Sequence, residues 1–251
     1  MKQSLMFYST EDGRFVKSEK FNKPTPAEIA YWGGYFFYHN RLHRNYQDDI
    51  SLHYYLLASK DGITIGKRYF KHENNKEDYP FSPSGHNLYD NNSKLYYCRD
   101  FDNIVYQIHE DSVVPRFRIN LPNPLPASMI EERPNEMSLL RSGYSLGITD
   151  IYEYGGLLFF RFVKDGYIWS CLYNVEESKQ VYCAKRIKFL DSSLIDTIDG
   201  IYKDCFYSIL TPEYLDYAFS ENPLEDYPDL FKTYDVEGDN PVIAFYRAVV
   251  R

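Results

Sequence analysis

The histidines of this sequence are the first residues to test for metal chemistry. His39 and His43 are four residues apart, and His53 follows. On a β-strand such an i, i+4 pair shares a face, but the two residues lie about 13 Å apart at ~3.3 Å per residue. Two imidazoles that far apart cannot bind one ion. The spacing therefore predicts neither a metal site nor a cofactor.

Paired carboxylates are the next candidates for catalysis. Asp48 and Asp49, and Glu131 and Glu132, are adjacent in hydrophilic stretches. Adjacent carboxylates point in different directions, whereas a glycosidase needs two that face each other across a substrate. The sequence also lacks the G-x-S-x-G, H-E-x-x-H and glycine-rich phosphate-loop motifs. It names no catalytic residue and leaves enzyme activity undecided.

The segment YYCRDFDNIVYQI (96–108) places a short polar break between two aromatic and β-branched runs. Runs of this kind predict two strands, so the break is interpreted as their connection. Loops on a rigid scaffold also carry binding residues. Arg99, Asp100 and Asp102 are therefore candidate ligand contacts.

Arg161 and Trp32 complete the set of candidate binding residues. Arg161 interrupts the apolar run LLFFRFV, where a charge needs a partner. That partner is either an acidic residue in an ion pair between sheets or an anionic ligand. Trp32, like Trp169 and the 26 tyrosines, has a flat apolar face of the type that stacks on sugar rings. Most of the aromatic residues must form the core, and those that remain would suit a carbohydrate or a protein ligand.

Charge and chain composition exclude several classes of protein. The formal net charge is −8, and Lys and Arg are scattered rather than clustered, which argues against nucleic-acid binding. No stretch is apolar and long enough for a membrane span. The N-terminal residues lack the apolar core of a signal peptide, so the chain is expected to be cytoplasmic if Met1 is the native start.

The cysteines indicate burial rather than metal binding. Cys98, Cys171, Cys183 and Cys205 are far apart, and each lies in an apolar, strand-like run. This spacing excludes a typical zinc site. Small buried side chains are the simplest interpretation, with one disulfide as the alternative.

A hairpin pattern repeats along the chain. Each repeat is a strand, an acidic residue followed by Gly or Ser, and a second strand, with markers at Asp12, Asp61, Asp111 and Glu177. The intervals are 49, 50 and 66 residues. A period near fifty is typical of four-stranded propeller blades. Asp-Gly is also a strong turn signal, so hairpins are predicted at Asp12-Gly13 and Asp61-Gly62.

The long third interval contains a predicted insertion at 122–140. Three prolines precede Ser128 and Glu131, whose spacing fits a helix-capping box. Around this insertion, RFRINL (116–121) alternates with period two, and GGLLFFRFV (155–163) is apolar almost throughout. The first pattern predicts a strand with one buried face, and the second predicts a strand covered on both faces.

Two segments resemble a known family. LYYCRDFDNIVYQIHEDSVVPRFRINL (95–121) and the ending DNPVIAFYRAVV (239–250) are similar to the uncharacterised six-bladed β-propeller proteins of gut bacteria, many of which are lipoproteins. The resemblance implies an all-β propeller with four-stranded antiparallel blades and short helical insertions. It also implies a location in the periplasm, outer membrane or cell surface, and it supplies no active site.

The chain is shorter than members of that family. About four to five blades fit within 251 residues, which form a single propeller domain in this interpretation. We therefore expect an incomplete ring with open blade faces, or a smaller ring closed by pairing of residues 3–9 with 241–248. Open faces favour self-association. The sequence thus favours a non-catalytic binding or scaffold propeller at the cell envelope, with a glycan-active hydrolase or lyase as the alternative.

Overall fold

The computed structural model of the protein describes residues 3–21, 26–40, 53–72, 85–132, 134–185, 198–221, 234–235, 237–238 and 240–247. Within these residues the chain is all-β with three short helices, and every strand pair is antiparallel. No helix in this part of the chain is long and apolar enough to cross a membrane.

Within the described residues, the strands form five sheets in chain order. The first two sheets consist of β1 (Gln3–Tyr8) and β2 (Phe15–Phe21), and of β3 (Glu28–Trp32), β4 (Tyr35–His39), β5 (Tyr54–Ser59) and β6 (Lys67–Lys71). The third consists of β7 (Leu88–Asn91), β8 (Lys94–Cys98), β9 (Ile104–Ile108) and β10 (Val113–Arg118). The fourth consists of β11 (Ser145–Tyr154), β12 (Leu157–Lys164), β13 (Tyr167–Asn174) and β14 (Lys179–Ala184). The fifth consists of β15 (Gly200–Tyr202), β16 (Cys205–Leu210) and β17 (Val242–Tyr246).

Both predicted Asp-Gly turns are confirmed. Asp12-Gly13 lies between β1 and β2, and Asp61-Gly62 lies between β5 and β6. At the second turn, the Asp61 carboxylate accepts hydrogen bonds from the backbone N–H groups of Thr64 (2.7 Å) and Ile63 (2.8 Å). These bonds hold the pKa of Asp61 far below its usual range. Gly62 has a φ of +81°, a conformation that glycine adopts without strain.

Two short helices lie between the third and fourth sheets. They are α1 (Ala127–Glu131) and α2 (Glu136–Leu140), within the segment 122–140. The capping box expected at Ser128 and Glu131 is wrong, because α1 begins after Pro126 without a side-chain cap. Asn135 caps α2 instead and accepts from the Ser138 N–H at 2.9 Å. The third helix, α3 (Pro212–Glu221), lies between β16 and β17.

The first strands of the later sheets meet one another. β7 contacts β3, β11 and β15, and β11 also contacts β15. Within each sheet the strands follow in chain order from this first strand outward. The sheets are therefore blade-like, and their inner strands share one region of the molecule.

The strand pairing of the described residues does not close this series into a ring. β1 pairs with β2 and β17 pairs with β16, and the two ends do not pair with each other in the described part of the chain. The pairing that would close a smaller ring is thus not seen there.

Buried side chains join neighbouring sheets. The largest apolar cluster lies among the third, fourth and fifth sheets and includes Tyr89, Ile151 and Phe206. A second cluster joins the second and third sheets and includes Phe37 and Tyr97. The apolar run in β12 is buried at most positions, as its sequence predicted. The core therefore lies between sheets and covers strands on both faces.

One disulfide links the outer strands of the fourth sheet. Cys171 on β13 and Cys183 on β14 are opposite residues in the register and are bonded. Cys98 and Cys205 are free thiols, and burial raises the pKa of Cys98 well above its ordinary value. The single-disulfide alternative for the cysteines is therefore the one present.

Asn91 connects the inner strands β7 and β11. Its side chain is buried, its Nδ2 donates to the Ile151 carbonyl at 3.1 Å, and its Oδ1 accepts from the Glu153 N–H at 2.6 Å. The register of β11 against β12 shifts between Thr149 and Tyr152, next to these backbone groups. A buried N–H or C=O without a partner is costly, so Asn91 supplies partners to the edge of β11 that no strand of its own sheet pairs.

The Glu153 side chain ties the same two sheets together. Its carboxylate accepts from Lys94 (2.8 Å), from Arg116 (3.2 Å) and from the Tyr96 hydroxyl, all on the third sheet. Partial burial favours the neutral acid, but these three donors prevail and lower the pKa of Glu153 below its ordinary value. The carboxylate is therefore charged in the folded protein and holds two sheets in register.

We predict that Glu153→Gln lowers the free energy of unfolding by about 1.5–3 kcal/mol, the usual worth of hydrogen bonds to a charged group. Since the folded pKa is lowered, the unfolded chain binds more protons in acid, and the contribution of Glu153 is lost as pH falls below the ordinary Glu range. In urea unfolding between pH 7 and pH 3, the free energy of unfolding of the variant should thus fall less steeply with decreasing pH than that of the wild type. Glu177→Gln, in an exposed turn, is the matched control, and equal effects of the two changes would contradict this role.

Candidate functional site

A cavity of about 410 Å³ opens where the inner strands of three sheets meet. Leu88, Tyr89 and Asp90 of β7 form one wall. The remaining lining residues come from β11, from β15 and β16, and from the segments beside these strands: His86, Asn92, Tyr152, Asp199, Gly200, Ile201 and Tyr207. The volume is within the range of small-molecule sites.

Glu28 of the second sheet binds the start of β7. Its carboxylate accepts from the backbone N–H groups of Asn87 (2.6 Å) and Leu88 (3.0 Å). It also contacts the exposed His86 ring through Nδ1 at 3.2 Å. The position of His86 at the cavity therefore depends on a carboxylate from the neighbouring sheet.

Asp199 is fixed on the opposite wall. Its carbonyl accepts from the Tyr152 hydroxyl at 3.0 Å, and its N–H donates to the Tyr207 carbonyl at 2.8 Å. Its carboxylate Oδ2 accepts from the Ile209 N–H at 2.7 Å. These bonds anchor the residue to β11 and β16 and leave Oδ1 without a hydrogen-bond partner among the described residues.

Gly200 gives the Tyr207 ring its place in the cavity. A Cβ at position 200 would lie 2.6 Å from Cε1 and from the hydroxyl oxygen of Tyr207. The backbone there does not have a positive φ, so packing and not conformation requires glycine. The missing side chain lets an aromatic ring lie directly over the strand.

The cavity is acidic. Asp90 and Asp199 line it, whereas no Lys or Arg of the described residues is part of its lining. Partial burial raises the pKa of Asp90, and a hydrogen bond from the Asn92 N–H opposes the shift. Burial also raises the pKa values of Tyr89 and Tyr152, so both keep their hydroxyl protons. The cavity therefore combines neutral phenols with carboxylate acceptors.

The comparisons with known proteins identify the family. The family described as "Domain of unknown function (DUF4934)" matches residues 1–247. The chain belongs to the DUF4934 family.

A solved structure shares the fold of this DUF4934 domain. It is a protein of Bacteroides fragilis NCTC 9343, described as a "putative exported protein". The likeness has a TM-score of 0.74 at 16% identity and covers 96% of this chain and 70% of the Bacteroides chain. Comparison with the curated proteins found no match.

None of the five binding residues proposed from sequence lines the cavity of the DUF4934 domain. Arg99, Asp100 and Asp102 lie in the turn between β8 and β9, which confirms the polar break as a strand connection. Arg99 donates from Nε (2.9 Å) and from an amino nitrogen (2.7 Å) to Asp102. Asp100 accepts from Asn87 at 3.1 Å. These charges are engaged in structural contacts within the third sheet.

The same turn packs against the fourth sheet. A Cβ at Gly147 of β11 would lie 2.7 Å from the Cα of Phe101, and the Ile148 N–H donates to the Asp102 carbonyl at 3.1 Å. Gly147 has a φ of +101°. A side chain at this position would separate the turn from β11.

Arg161 and Trp32 also have structural surroundings in the DUF4934 domain. Arg161 on β12 forms an ion pair with Asp150 on β11 at 2.7 Å, and both side chains are largely buried. The pair lies within one sheet, whereas the sequence led us to expect an ion pair between sheets. Trp32 is half-buried and packs against the cluster of the second and third sheets.

His39 and His53 are not among the described residues that line the cavity. His39 is buried and its Nδ1 lies 3.2 Å from the Tyr97 hydroxyl. Burial, together with the charges of His39 and His53, lowers the pKa of His72 to about 4. In the described part of the chain, no group of three or more His, Cys, Asp or Glu residues could hold a metal ion. His43 lies outside the described residues, as do Asp48 and Asp49.

The sequence interpretation missed the cavity residues because they are far apart in the chain. Asp90 belongs to β7, whereas Asp199 precedes β15. Their positions in the repeat could have indicated the site, because each residue lies in or next to the first strand of its sheet. Polar residues at the inner strands of successive units were therefore better candidates than conspicuous charges in hairpin turns.

We predict that the Asp90 carboxyl titrates above the ordinary aspartate pKa, because partial burial disfavours its charge. Carbon-detected NMR of the side-chain carboxyl between pH 2 and pH 7 measures this, with Asp90→Asn to assign the resonance. A midpoint for Asp90 at or below about 3.9, the value of aspartate in model peptides, would contradict the desolvation of this carboxyl.

Proposed function

We propose that this chain is a non-catalytic binding or scaffold domain of an exported protein at the bacterial cell envelope. Its ligand, a carbohydrate or a protein segment, occupies the cavity lined by Asp90, Asp199 and Tyr207. The observation that carries the proposal is the convergence of inner strands from three sheets on one polar, aromatic cavity. Sites between such elements are where small ligands are usually bound.

The proposed architecture is a β-propeller. Its support is the series of blade-like antiparallel sheets whose first strands share one region. Three of the five sheets have four strands, as a propeller blade does. The number of blades, six, remains an expectation from family resemblance.

Export is supported by two observations. The Cys171–Cys183 disulfide is of the kind that persists in oxidising compartments. The Bacteroides fragilis protein with the same fold is described as exported. We therefore place the protein in the periplasm or at the cell surface in this proposal.

A glycan-active enzyme is the second candidate. The observation that favours it is the presence of Asp90, with its raised pKa, in the same cavity as Asp199. A carboxyl with a raised pKa can serve as a general acid opposite a charged carboxylate. The binding proposal is preferred because the Asp199 carboxylate is held by the Ile209 N–H as part of the wall.

The binding proposal predicts that at least one compound of a diverse library stabilises the wild type. A ligand at one hundred times its Kd adds about 2.7 kcal/mol to the free energy of unfolding. The measurement is a thermal-shift screen of sugars, amino acids, short peptides, polyamines and nucleosides, with chromatography of each positive compound after incubation.

Gly200→Ala should abolish the thermal shift by displacing Tyr207. Gly66→Ala is the matched control, because the nearest atom to its added Cβ is 3.9 Å away and its φ is not positive. A screen without any positive compound, or a shift that Gly200→Ala leaves unchanged, would contradict the cavity as the ligand site. A consumed substrate would favour the enzyme.

Self-association is part of the scaffold proposal. The first sheet exposes Met6 (58%) and Phe15 (54%), and the last sheet exposes Ile243 (54%) and Phe245 (53%). Alternate residues of β17 pack inward, so this strand is apolar on both faces. The partner in the proposal is a second copy, whose first sheet continues the stacking at the last sheet of the first copy.

We predict that the wild type shows a concentration-dependent mass above that of one chain, and that Ile243→Lys shifts it toward the monomer. Light scattering after size exclusion measures this over a hundredfold range of concentration. Val181→Lys, at an exposed position of the fourth sheet, is the control and should leave the mass unchanged. A wild type that is monomeric throughout would refute self-association.

A further inference from the structure

The cavity presents hydrogen-bonding groups from opposite walls. Asp90 and Asn92 stand on β7 and the turn after it, and Asp199 and Tyr207 stand on the segment before β15 and on β16. A ligand that engages both walls must offer several donors in different directions. A single ammonium offers its donors from one point, whereas a sugar distributes hydroxyls around a ring.

Most hydroxyl donors of the protein at this site are already engaged. Tyr89 donates to the His86 carbonyl, and Tyr152 donates to the Asp199 carbonyl at 3.0 Å. The Asn92 amide donates to the Lys203 carbonyl at 3.3 Å. The protein groups that remain for a ligand are hydrogen-bond acceptors, chiefly carboxylate oxygens such as Asp199 Oδ1. Hydroxyl groups of a sugar satisfy such acceptors.

Tyr207 supplies an apolar surface beside these acceptors. Its ring is half-buried, lies against Gly200, and has the Phe245 ring on another side at 6.4 Å. Aromatic rings with a fixed orientation stack on the C–H face of a sugar, while the hydroxyls at its edge reach polar groups. The combination of a fixed ring and nearby carboxylates is what a pyranose requires.

The charge of the cavity selects against acidic sugars. Two carboxylates line it, and neither forms an ion pair among the described residues. A carboxylate or sulfate group on a ligand would be repelled by these two side chains. Uronic acids and sulfated sugars therefore do not fit this site.

We propose that the ligand of this cavity is a neutral saccharide that stacks on Tyr207 and donates hydroxyl hydrogen bonds to Asp90 and Asp199. This inference rests on the proposed binding function and specifies its ligand class. Protonated amines, which the negative charge would also attract, are the competing class that the test must separate.

Isothermal titration calorimetry of the wild-type chain tests the proposal with cellobiose, lactose, maltose and N,N′-diacetylchitobiose as neutral probes. Digalacturonate is the acidic probe, and spermidine is the cationic probe. At least one neutral disaccharide should bind, and digalacturonate should bind at least tenfold more weakly. Gly200→Ala should weaken neutral binding at least tenfold, while Gly66→Ala should leave it unchanged.

Asp90→Asn separates charge from shape. The amide still accepts a hydrogen bond but carries no negative charge. The ratio of the Kd of the acidic probe to the Kd of the neutral probe should therefore fall at least threefold. Asp165→Asn, in an exposed turn of the fourth sheet, is the matched control. Circular dichroism and thermal unfolding of each variant distinguish a lost site from a lost fold, and Asp90→Asn keeps the test valid if Gly200→Ala does not fold.

The outcomes separate the two levels of the proposal. Spermidine binding without sugar binding, or equal affinities for neutral and acidic sugars, overturns the saccharide inference and leaves a binding domain. Failure of all four neutral probes also overturns the inference, and the library screen then decides the binding function alone. Neutral binding that Gly200→Ala leaves unchanged would place the sugar elsewhere and overturn the site.

Discussion

The architecture depends on satisfying the backbone of inner strands where they meet strands of another sheet. Antiparallel pairing satisfies the backbone groups that β11 directs toward β12, but β11 is the edge strand of its sheet, and it also contacts β7 of the third sheet. Asn91 of β7 joins the two strands, because its side chain forms hydrogen bonds with one carbonyl and one N–H of β11. Because a buried unpaired backbone group costs about as much as a lost hydrogen bond, this side chain fixes the distance between the third and fourth sheets.

Similar polar contacts join the sheets on either side and produce the cavity. Glu28 bonds the start of β7 from the second sheet, and Tyr152 of the fourth sheet bonds the segment before the fifth. The inner strands are thus held together by specific hydrogen bonds rather than by close apolar contact alone. Asp90 and Asp199 face the space left between them, so the site is a consequence of how the sheets are joined.

Local patterns in the sequence were sufficient for the strands and turns. Asp12-Gly13 and Asp61-Gly62 mark hairpins because their turn chemistry depends on adjacent residues. Phe117 and Ile119 pack inward as the alternation predicted, although β10 ends at Arg118 and the alternation continues beyond it. Strand boundaries depend on the partner strand, which the alternation does not reveal.

The site and the partners of buried charges required the tertiary structure. Arg161 needed an acidic partner, but the choice of Asp150 depends on the register shift in β11. Likewise, Tyr207 reaches the cavity because the residue beneath it is Gly200, a relation between two strands rather than a local motif. Such choices are set by register and by contacts between sheets, which composition and period do not encode.

The most direct test of the central claim is a crystal structure of the wild-type chain soaked with a neutral disaccharide. The account predicts a pyranose ring over Tyr207, with hydroxyl groups within hydrogen-bonding distance of Asp90 and Asp199. Electron density for the sugar in another location would contradict it. One such location is the larger cavity of about 550 Å³ beside Trp169 and the disulfide.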